Sequence, residues 1–340
     1  MRSIVYQHYG EPAEVLRVED NIDEPIPGTG EVLIGVNATP FLHGSLLAVR
    51  GRYRGVRDSS TVPPSDGRQG YEGTGVIEAV GPGVGSDQRL VAGRRVSFFP
   101  ALGAWSEKVV VPATFVTPVD ADIPDAIAAQ LHINPLTAVM LLNAAIDVGI
   151  AAGGDRAIVL DAGGASVAKF VAALARRRNI PVISIVRRAD AAKRLVELFP
   201  DITAIATDSV DWLDRLDLAA PPGGLFVGLD AVGGSVGSAI LDRLAEGGTL
   251  ITYGDLSGEP LQANALSFTL RDTHVRGLVV TKWPSFPAEA RAQDVALALD
   301  LARTRPELFL VAAEYRFEDI ARAARHVEQA GKDGLILLKP

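Results

Sequence analysis

Cysteine is missing altogether from the 340 residues. Its absence excludes disulfides, thiolate zinc sites and cysteine nucleophiles together. No apolar run approaches the roughly 20 residues a bilayer-spanning helix needs, so no membrane is expected as a partner. Positive charge is in deficit: 33 Lys and Arg stand against 41 Asp and Glu, a formal net charge of −8. With a pI near 5.2, that balance argues against nucleic acid as a partner. The opening Met1-Arg2-Ser3-Ile4-Val5-Tyr6 reads as a strand beginning at once. No signal or transit peptide is evident there, and a cytoplasmic protein is expected. Internal repeats and low-complexity segments are also lacking.

What is present is a chain with 48% hydrophobic residues, long enough to bury a large core and to split into two domains. Its organising stretch runs from Arg156 to Arg188. Arg156-Ala157-Ile158-Val159-Leu160-Asp161 reads as a strand buried on both faces, because it is continuously apolar rather than alternating. Ala162-Gly163-Gly164-Ala165-Ser166-Val167-Ala168 is a turn of tiny side chains opening a helix. Such a helix start offers unpaired N–H groups and a positive dipole end to phosphates. A second apolar strand, Val182-Ile183-Ser184-Ile185-Val186, then closes a βαβ dinucleotide-binding pattern. The full G-x-G-x-x-G is absent: Gly163-Gly164 is the only glycine pair within this turn, and Ala168 stands in a last-glycine place. An NAD-binding strand usually ends on an acid that holds the ribose 2′-hydroxyl. Here Arg187 and Arg188 follow the strand, and a guanidinium fork suits a 2′-phosphate. NADPH is the expected cofactor; paired arginines at a solvated helix start are the plain alternative.

Residues 1–118 read as β-rich, with short apolar runs (Glu31 to Val36, Gly75 to Val80, Arg95 to Phe99, Lys108 to Val111) between Gly/Pro/Asp punctuation. Gly81-Pro82-Gly83-Val84-Gly85 is a turn, and residues 58–67 form a polar loop of the site-flanking kind. From Pro118 the texture becomes alternating helices and strands. Asn134 and Pro135 suit the N-cap and first position of a long helix. Further strands are expected near Ala204, at Leu225 to Leu229, Thr249 to Tyr253 and Val275 to Val280. Helices at Ala191 to Phe199, Ser235 to Leu244 and Ala288 to Thr304 separate most of them. That alternation means an α/β fold with a doubly wound parallel sheet. From Ala312 the chain reverts to mixed β and is expected to return to the first domain.

In this order and spacing, several segments carry a resemblance across essentially the whole chain. They are Tyr9-Gly10-Glu11-Pro12, Arg50-Gly51-Arg52-Tyr53, Gly70-Tyr71-Glu72-Gly73-Thr74-Gly75-Val76 and Ile133-Asn134-Pro135-Leu136-Thr137-Ala138. Ala162 to Val167, Val186-Arg187, Asp230-Ala231-Val232-Gly233-Gly234, Gly247 to Gly254, and Arg276-Gly277 followed by Trp283 continue it. The chain resembles the zinc-independent medium-chain dehydrogenase/reductases, most of all the 2-enoyl thioester reductases (mitochondrial-type trans-2-enoyl-CoA/ACP reductases), with quinone oxidoreductases as near relatives. The resemblance implies a GroES-like catalytic domain over 1–118 and 306–340, and a Rossmann NADPH-binding domain over 119–305. Zinc-bearing relatives carry His where Tyr71 stands, so no metal is implied. Dimers pairing through the Rossmann domain are usual in the family.

The resemblance also assigns residues. Tyr53 matches the tyrosine that enoyl reductases use as proton donor or substrate orienter. The chemistry is sound: hydride addition to Cβ of an enoyl thioester leaves an enolate to be held at oxygen and protonated at Cα. Asn134 and Thr137 match positions beside the nicotinamide. Gly163, Gly164, Ala165, Ser166 and Val167 line the pyrophosphate turn, Arg187 and Arg188 the 2′-phosphate, and Tyr253 and Gly254 the carboxamide. Trp283 matches a tryptophan near the acyl site, or a buried aromatic anchor. The family's Asn-Pro-Ser-Asp reads Leu42-His43-Gly44-Ser45 here, which leaves His43 as a candidate polar replacement in the substrate pocket. A terminal Gly-Lys pair reads Gly334-Leu335. The expected activity is NADPH-dependent reduction of an activated C=C bond, on a small-molecule substrate free or carried by CoA or acyl carrier protein. A quinone oxidoreductase and a redox-inactive NADPH-binding protein are the alternatives.

Overall fold

The computed structural model describes residues 1–53, 67–84 and 89–340. The expected polar loop, apart from Gly67, and Gly85 of the expected turn lie outside the described residues. The chain divides into two compact units, residues 1–133 with 281–340 and residues 134–280.

In the first unit β1 (Ser3–Val5) pairs antiparallel with β2 (Arg17–Glu19). A mixed sheet is built on the long β3 (Glu31–Phe41), which pairs antiparallel with both β4 (Gly73–Val80) and β6 (Lys108–Pro112). Outward from β4 lie β5 (Arg95–Phe98) and then β7 (Val116–Pro118). One core collects Ile34, Ile77, Val96, Phe98 and Val111; another gathers Ile4, Phe41, Trp105 and Phe317. Each large apolar side chain buried there contributes roughly 1.5–3 kcal/mol.

The second unit carries β8 (Ala157–Leu160), β9 (Val182–Val186), β10 (Thr203–Ala206), β11 (Leu225–Asp230), β12 (Leu244–Thr252) and β13 (His274–Gly277). Their spatial order is β10-β9-β8-β11-β12-β13, every pair parallel. This is the doubly wound arrangement in which strand order reverses between the first and fourth strands of the unit. Every residue of β8 and β11 is buried, which is why these strands read as unbroken apolar runs. Helices Ala189–Leu198 and Gly234–Arg243 match the expected ones within two residues, and Ser166–Arg177 is the helix that the glycine turn opens. Helices Trp212–Ala219 and Ala265–Arg271 were not anticipated. The first buries only Leu216 and the second buries nothing, so neither carries the apolar stripe that marks a helix in a sequence.

The chain then returns to the first unit, where β14 (Val311–Arg316) and β15 (Leu335–Lys339) pair in parallel and β15 adds to β3. Residues 119–133 and 281–305, read from sequence as part of the nucleotide-binding domain, also fall in this unit. Side-chain bonds account for the shift. Arg95 Nε bonds Asp125 at 2.6 Å, Ser97 Oγ donates to the Ala128 carbonyl at 2.8 Å, and Arg303 Nε bonds Asp122 at 2.8 Å.

Candidate active site

Parallel strands end on one edge of a sheet, and the second unit gathers its candidate residues there. Gly163–Val167 follow β8, Arg187 and Arg188 follow β9, and Tyr253 and Gly254 follow β12. The switch point between β8 and β11 is where ligands of doubly wound sheets bind.

The turn after β8 fits a pyrophosphate. A Cβ on Gly163 would stand 3.0 Å from Ser184 Cβ and 3.2 Å from the Ile185 carbonyl, whereas one on Gly164 would meet nothing within 4 Å. The first glycine lets the turn pack on β9, and the second leaves open space above it. Ala165 is the N-cap residue of the Ser166–Arg177 helix and supplies no side-chain cap. The first N–H groups of that helix are thus left for a ligand. Gly254 is equally constrained, because a Cβ there would lie 2.7 Å from the Ala231 carbonyl.

The two arginines part company. The Arg188 guanidinium forks onto Asp190, at 2.9 Å from Nε and 3.3 Å from Nη2, and Asp190 also takes Arg194 at 2.9 Å. These bonds hold the Asp190 carboxyl well below the usual range. Arg187 is exposed and makes no ion pair among the described residues. It is the arginine whose fork remains open.

Asn134 does not cap its helix, contrary to expectation. The helix spans Ile133–Asp147, so Asn134 lies inside its first turn. The cap comes from far away in sequence: Glu72 Oε2 accepts the N–H of His132 at 3.1 Å and of Ile133 at 2.9 Å. The Asn134 amide, half-buried, makes no hydrogen bond with a described residue. Asn134 and Thr137 stand three residues apart on one helix face.

In the first unit, helix His43–Val49 begins at the altered Leu42–Ser45 segment. Tyr53 follows that helix and is 67% exposed. Its hydroxyl leans back on the helix start, since a Cβ on Gly44 would lie 3.1 Å from it. Trp283 is 2% exposed, its indole N–H donates to Asp294 at 2.9 Å, and its ring packs 6.0 Å from that of Phe99. Those are the contacts of a buried aromatic anchor, one of the two readings its sequence position allows.

Sequence reasoning missed three carboxyls. Glu72 is buried, and burial pushes it up to about 8. Asp161, just past β8, and Asp230, the last residue of β11, stand side by side at 0% and 1% exposure. Burial and the neighbouring Asp230 raise Asp161 well above the usual carboxylate range. Burial and then the two aspartates likewise push the Tyr253 phenol up, keeping it protonated. An Asp closing a wholly apolar strand was the available signal.

No protein-family model matches the chain. A curated relative from Dictyostelium discoideum, named mitochondrial enoyl-[acyl-carrier-protein] reductase, is 29% identical over 349 residues, covering 99% of this chain and 94% of the relative. A mycobacterial structure solved with NADPH superposes with a TM-score of 0.84 at 26% identity, covering 100% of both chains. Escherichia coli quinone oxidoreductase complexed with NADPH gives the same TM-score at 22% identity over 100% of both chains, a likeness of fold. With its all-parallel β8–β13 sheet and glycine turn at the switch point, the chain is thus similar along its whole length to an enoyl-[acyl-carrier-protein] reductase in sequence and to NADPH-binding proteins in fold.

Proposed function

We propose that the protein is an NADPH-dependent reductase of a carbon–carbon double bond conjugated to a carbonyl, acting on a 2-enoyl thioester. The observation that carries this reading is the β8–β9 edge. A turn without side chains, an uncapped helix start and the open fork of Arg187 follow one another there at the spacing a phosphorylated dinucleotide requires. The name of the Dictyostelium discoideum relative supports the substrate class, and the mycobacterial complex supports the cofactor.

NADPH, when bound, supplies the hydride that adds to Cβ of the substrate. Gly163 to Val167 would hold its pyrophosphate and Arg187 its 2′-phosphate. Asn134, Thr137 and the backbone of Tyr253 and Gly254 would orient its nicotinamide end. Tyr53 supplies the phenol that steadies the enolate oxygen or protonates Cα. His43, at the start of the same helix, would line the substrate pocket. The carrier is CoA or an acyl carrier protein. We assign the protein to the cytoplasm, although the relative is named mitochondrial; no helix among the described residues is long and apolar enough to cross a membrane.

A homodimer belongs to the same reading. β13 is the edge of its sheet with every residue exposed. Nearby helix Ala265–Arg271 exposes Leu266 and Leu270. An unpaired edge strand next to exposed leucines suits a second copy related by a two-fold axis.

The test is NADPH oxidation with crotonyl-CoA and with a simple quinone, in wild type and Tyr53→Phe. Thioester turnover that falls at least tenfold in the variant supports the enoyl reductase. A quinone needs no Cα proton donor, so quinone turnover indifferent to the change would establish the quinone reductase instead. Binding of NADPH without turnover of either acceptor would mark a redox-inactive binder.

A further inference from the structure

We propose that Asp161 and Asp230 form a carboxyl pair holding one proton between them, and that this pair positions the Ala231–Gly234 and Tyr253–Gly254 turns under the nicotinamide end of the cofactor. The positioning role rests on the cofactor reading above; the shared proton does not.

The geometry starts from register. Leu160 of β8 pairs with Leu229 of β11, so the next residues, Asp161 and Asp230, stand abreast at the switch point. Both side chains are shut off from water. Each spends one oxygen on the same turn: Asp161 Oδ1 accepts the Ala231 N–H at 2.7 Å, and Asp230 Oδ1 accepts Val232 at 3.2 Å and Gly233 at 2.7 Å. The other oxygen of Asp161 is buried without a partner. An orphaned acceptor is costly, and two unprotonated carboxylates side by side are costlier. One proton removes both costs, because it turns one carboxyl into a donor to its neighbour. Asp161 is raised in keeping with that, by burial first and by Asp230 second.

The turn hung on the pair reaches the cofactor edge directly. The Ala231 carbonyl accepts the Leu256 N–H at 3.0 Å, and the Asp230 carbonyl accepts the Tyr253 N–H at 2.8 Å. Gly233 and Gly234 take φ of 71° and 53° to complete the turn. Ionisable groups lie near the pair. Tyr253 comes from the end of β12, and Asp255 and Glu259 lie beside Gly233 and Gly234. Helix Gly234–Arg243 presents only Gly237, which packs on the Asp230 carboxyl.

Asp161→Asn tests the pair, since the carboxamide keeps the acceptor for Ala231 and offers an N–H toward Asp230. The folded protein binds the shared proton and the unfolded chain does not, so wild-type stability falls as pH rises above the ordinary carboxylate range. Melting temperature followed from about pH 5 to about pH 9 should decline less steeply in Asp161→Asn. NADPH affinity, read by cofactor fluorescence, should weaken several-fold toward the alkaline end in wild type and stay level in Asp161→Asn. Asp161→Ala should bind at least tenfold more weakly at every pH. Parallel melting courses for wild type and Asp161→Asn, or an Asn variant binding as poorly as the Ala variant, would overturn the proposal. Should Asp161→Asn fail to fold, Asp230→Asn answers the same question. Melting is read without cofactor: a wild type that bound no NADPH would sink the cofactor reading and the positioning role, while the shared proton would still be decided.

Discussion

Glu72 Oε2 accepts the Ile133 N–H at 2.9 Å, tying the Gly70–Glu72 turn to the start of the Ile133–Asp147 helix. The bond crosses 61 positions of sequence and does what a local Ser, Thr or Asn does at most helix starts. Its second oxygen, Oε1, is buried without a partner.

That carboxyl gives the protein an alkaline liability. Burial lifts Glu72 from 4.5 to about 8, so the folded chain holds this proton over a range where the unfolded chain releases it. Its contribution is present at low pH, declines as pH rises above 4.5, and is gone past about 8. Glu72→Gln should remove this share of the alkaline loss, so its melting temperature should fall less than wild type between these limits. Glu72→Ala leaves two backbone donors without an acceptor and should cost about 1–3 kcal/mol at all pH values. Equal pH slopes in wild type and the Gln variant would contradict the assignment.

Neighbouring His132 works in the opposite direction. It is enclosed with Ser97 Oγ 3.1 Å from Nδ1 and Thr117 Oγ1 3.2 Å from Nε2, and burial lowers it from 6.5 to about 3. The unfolded chain therefore takes up this proton first as pH falls, and stability is lost from 6.5 downward. His132→Gln should flatten the acid limb of a urea-denaturation profile at some cost in packing. An acid limb unchanged in the variant would show that other groups govern it.

Arg187 and Arg188 are adjacent in sequence but not equivalent. A charge-assisted hydrogen bond contributes about 1.5–3 kcal/mol, so Arg187→Ala should raise the dissociation constant for NADPH by about tenfold or more and leave that for NADH nearly unchanged. Arg188 is already committed to Asp190, in an exposed pair of the sort worth about 1 kcal/mol or less. Its removal should change either cofactor by no more than a few-fold. Titrations of both variants with both cofactors decide it, and equal losses would mean that the two arginines act as one fork.

The pattern of what could be read beforehand follows from range. Continuous apolar runs and glycine turns are local signals, so β8 to β12 and the glycine turn between β8 and its helix were legible. The cap of the Ile133–Asp147 helix was misplaced because Asn134 is a good local cap, and nothing near it reveals Glu72. The Asp161–Asp230 pair escaped for the same reason: two aspartates 69 positions apart become neighbours only once β8 and β11 lie side by side. The two arginines read alike in the sequence, and only the ion pair of Arg188 with Asp190 tells them apart.

The exposed edge makes a prediction about assembly. If a second copy covers β13 and the Ala265–Arg271 helix, a charge placed there should prevent pairing. Leu270, 73% exposed, touches nothing whose loss would unfold the chain, so Leu270→Glu should convert a dimer to a monomer with little change in melting at low protein concentration. Light scattering after gel filtration reads the outcome. A wild type that is monomeric at every concentration would remove the assembly from the reading.

The paired glycines of the turn separate folding from cofactor binding. A methyl on Gly163 would press on Ser184 Cβ, the Ile185 carbonyl and Val186 Cγ1, all within 3.2 Å. Gly163→Ala must therefore push the turn off β9, and overpacking of this kind costs about 1–3 kcal/mol. A methyl on Gly164 meets no protein atom within 4 Å, so Gly164→Ala should melt like wild type. The same methyl occupies the space above the helix start, where a pyrophosphate would approach the backbone. NADPH affinity should consequently fall in both variants, with a stability loss in the first alone. If Gly164→Ala bound NADPH as tightly as wild type, the phosphates would have to lie elsewhere on the edge.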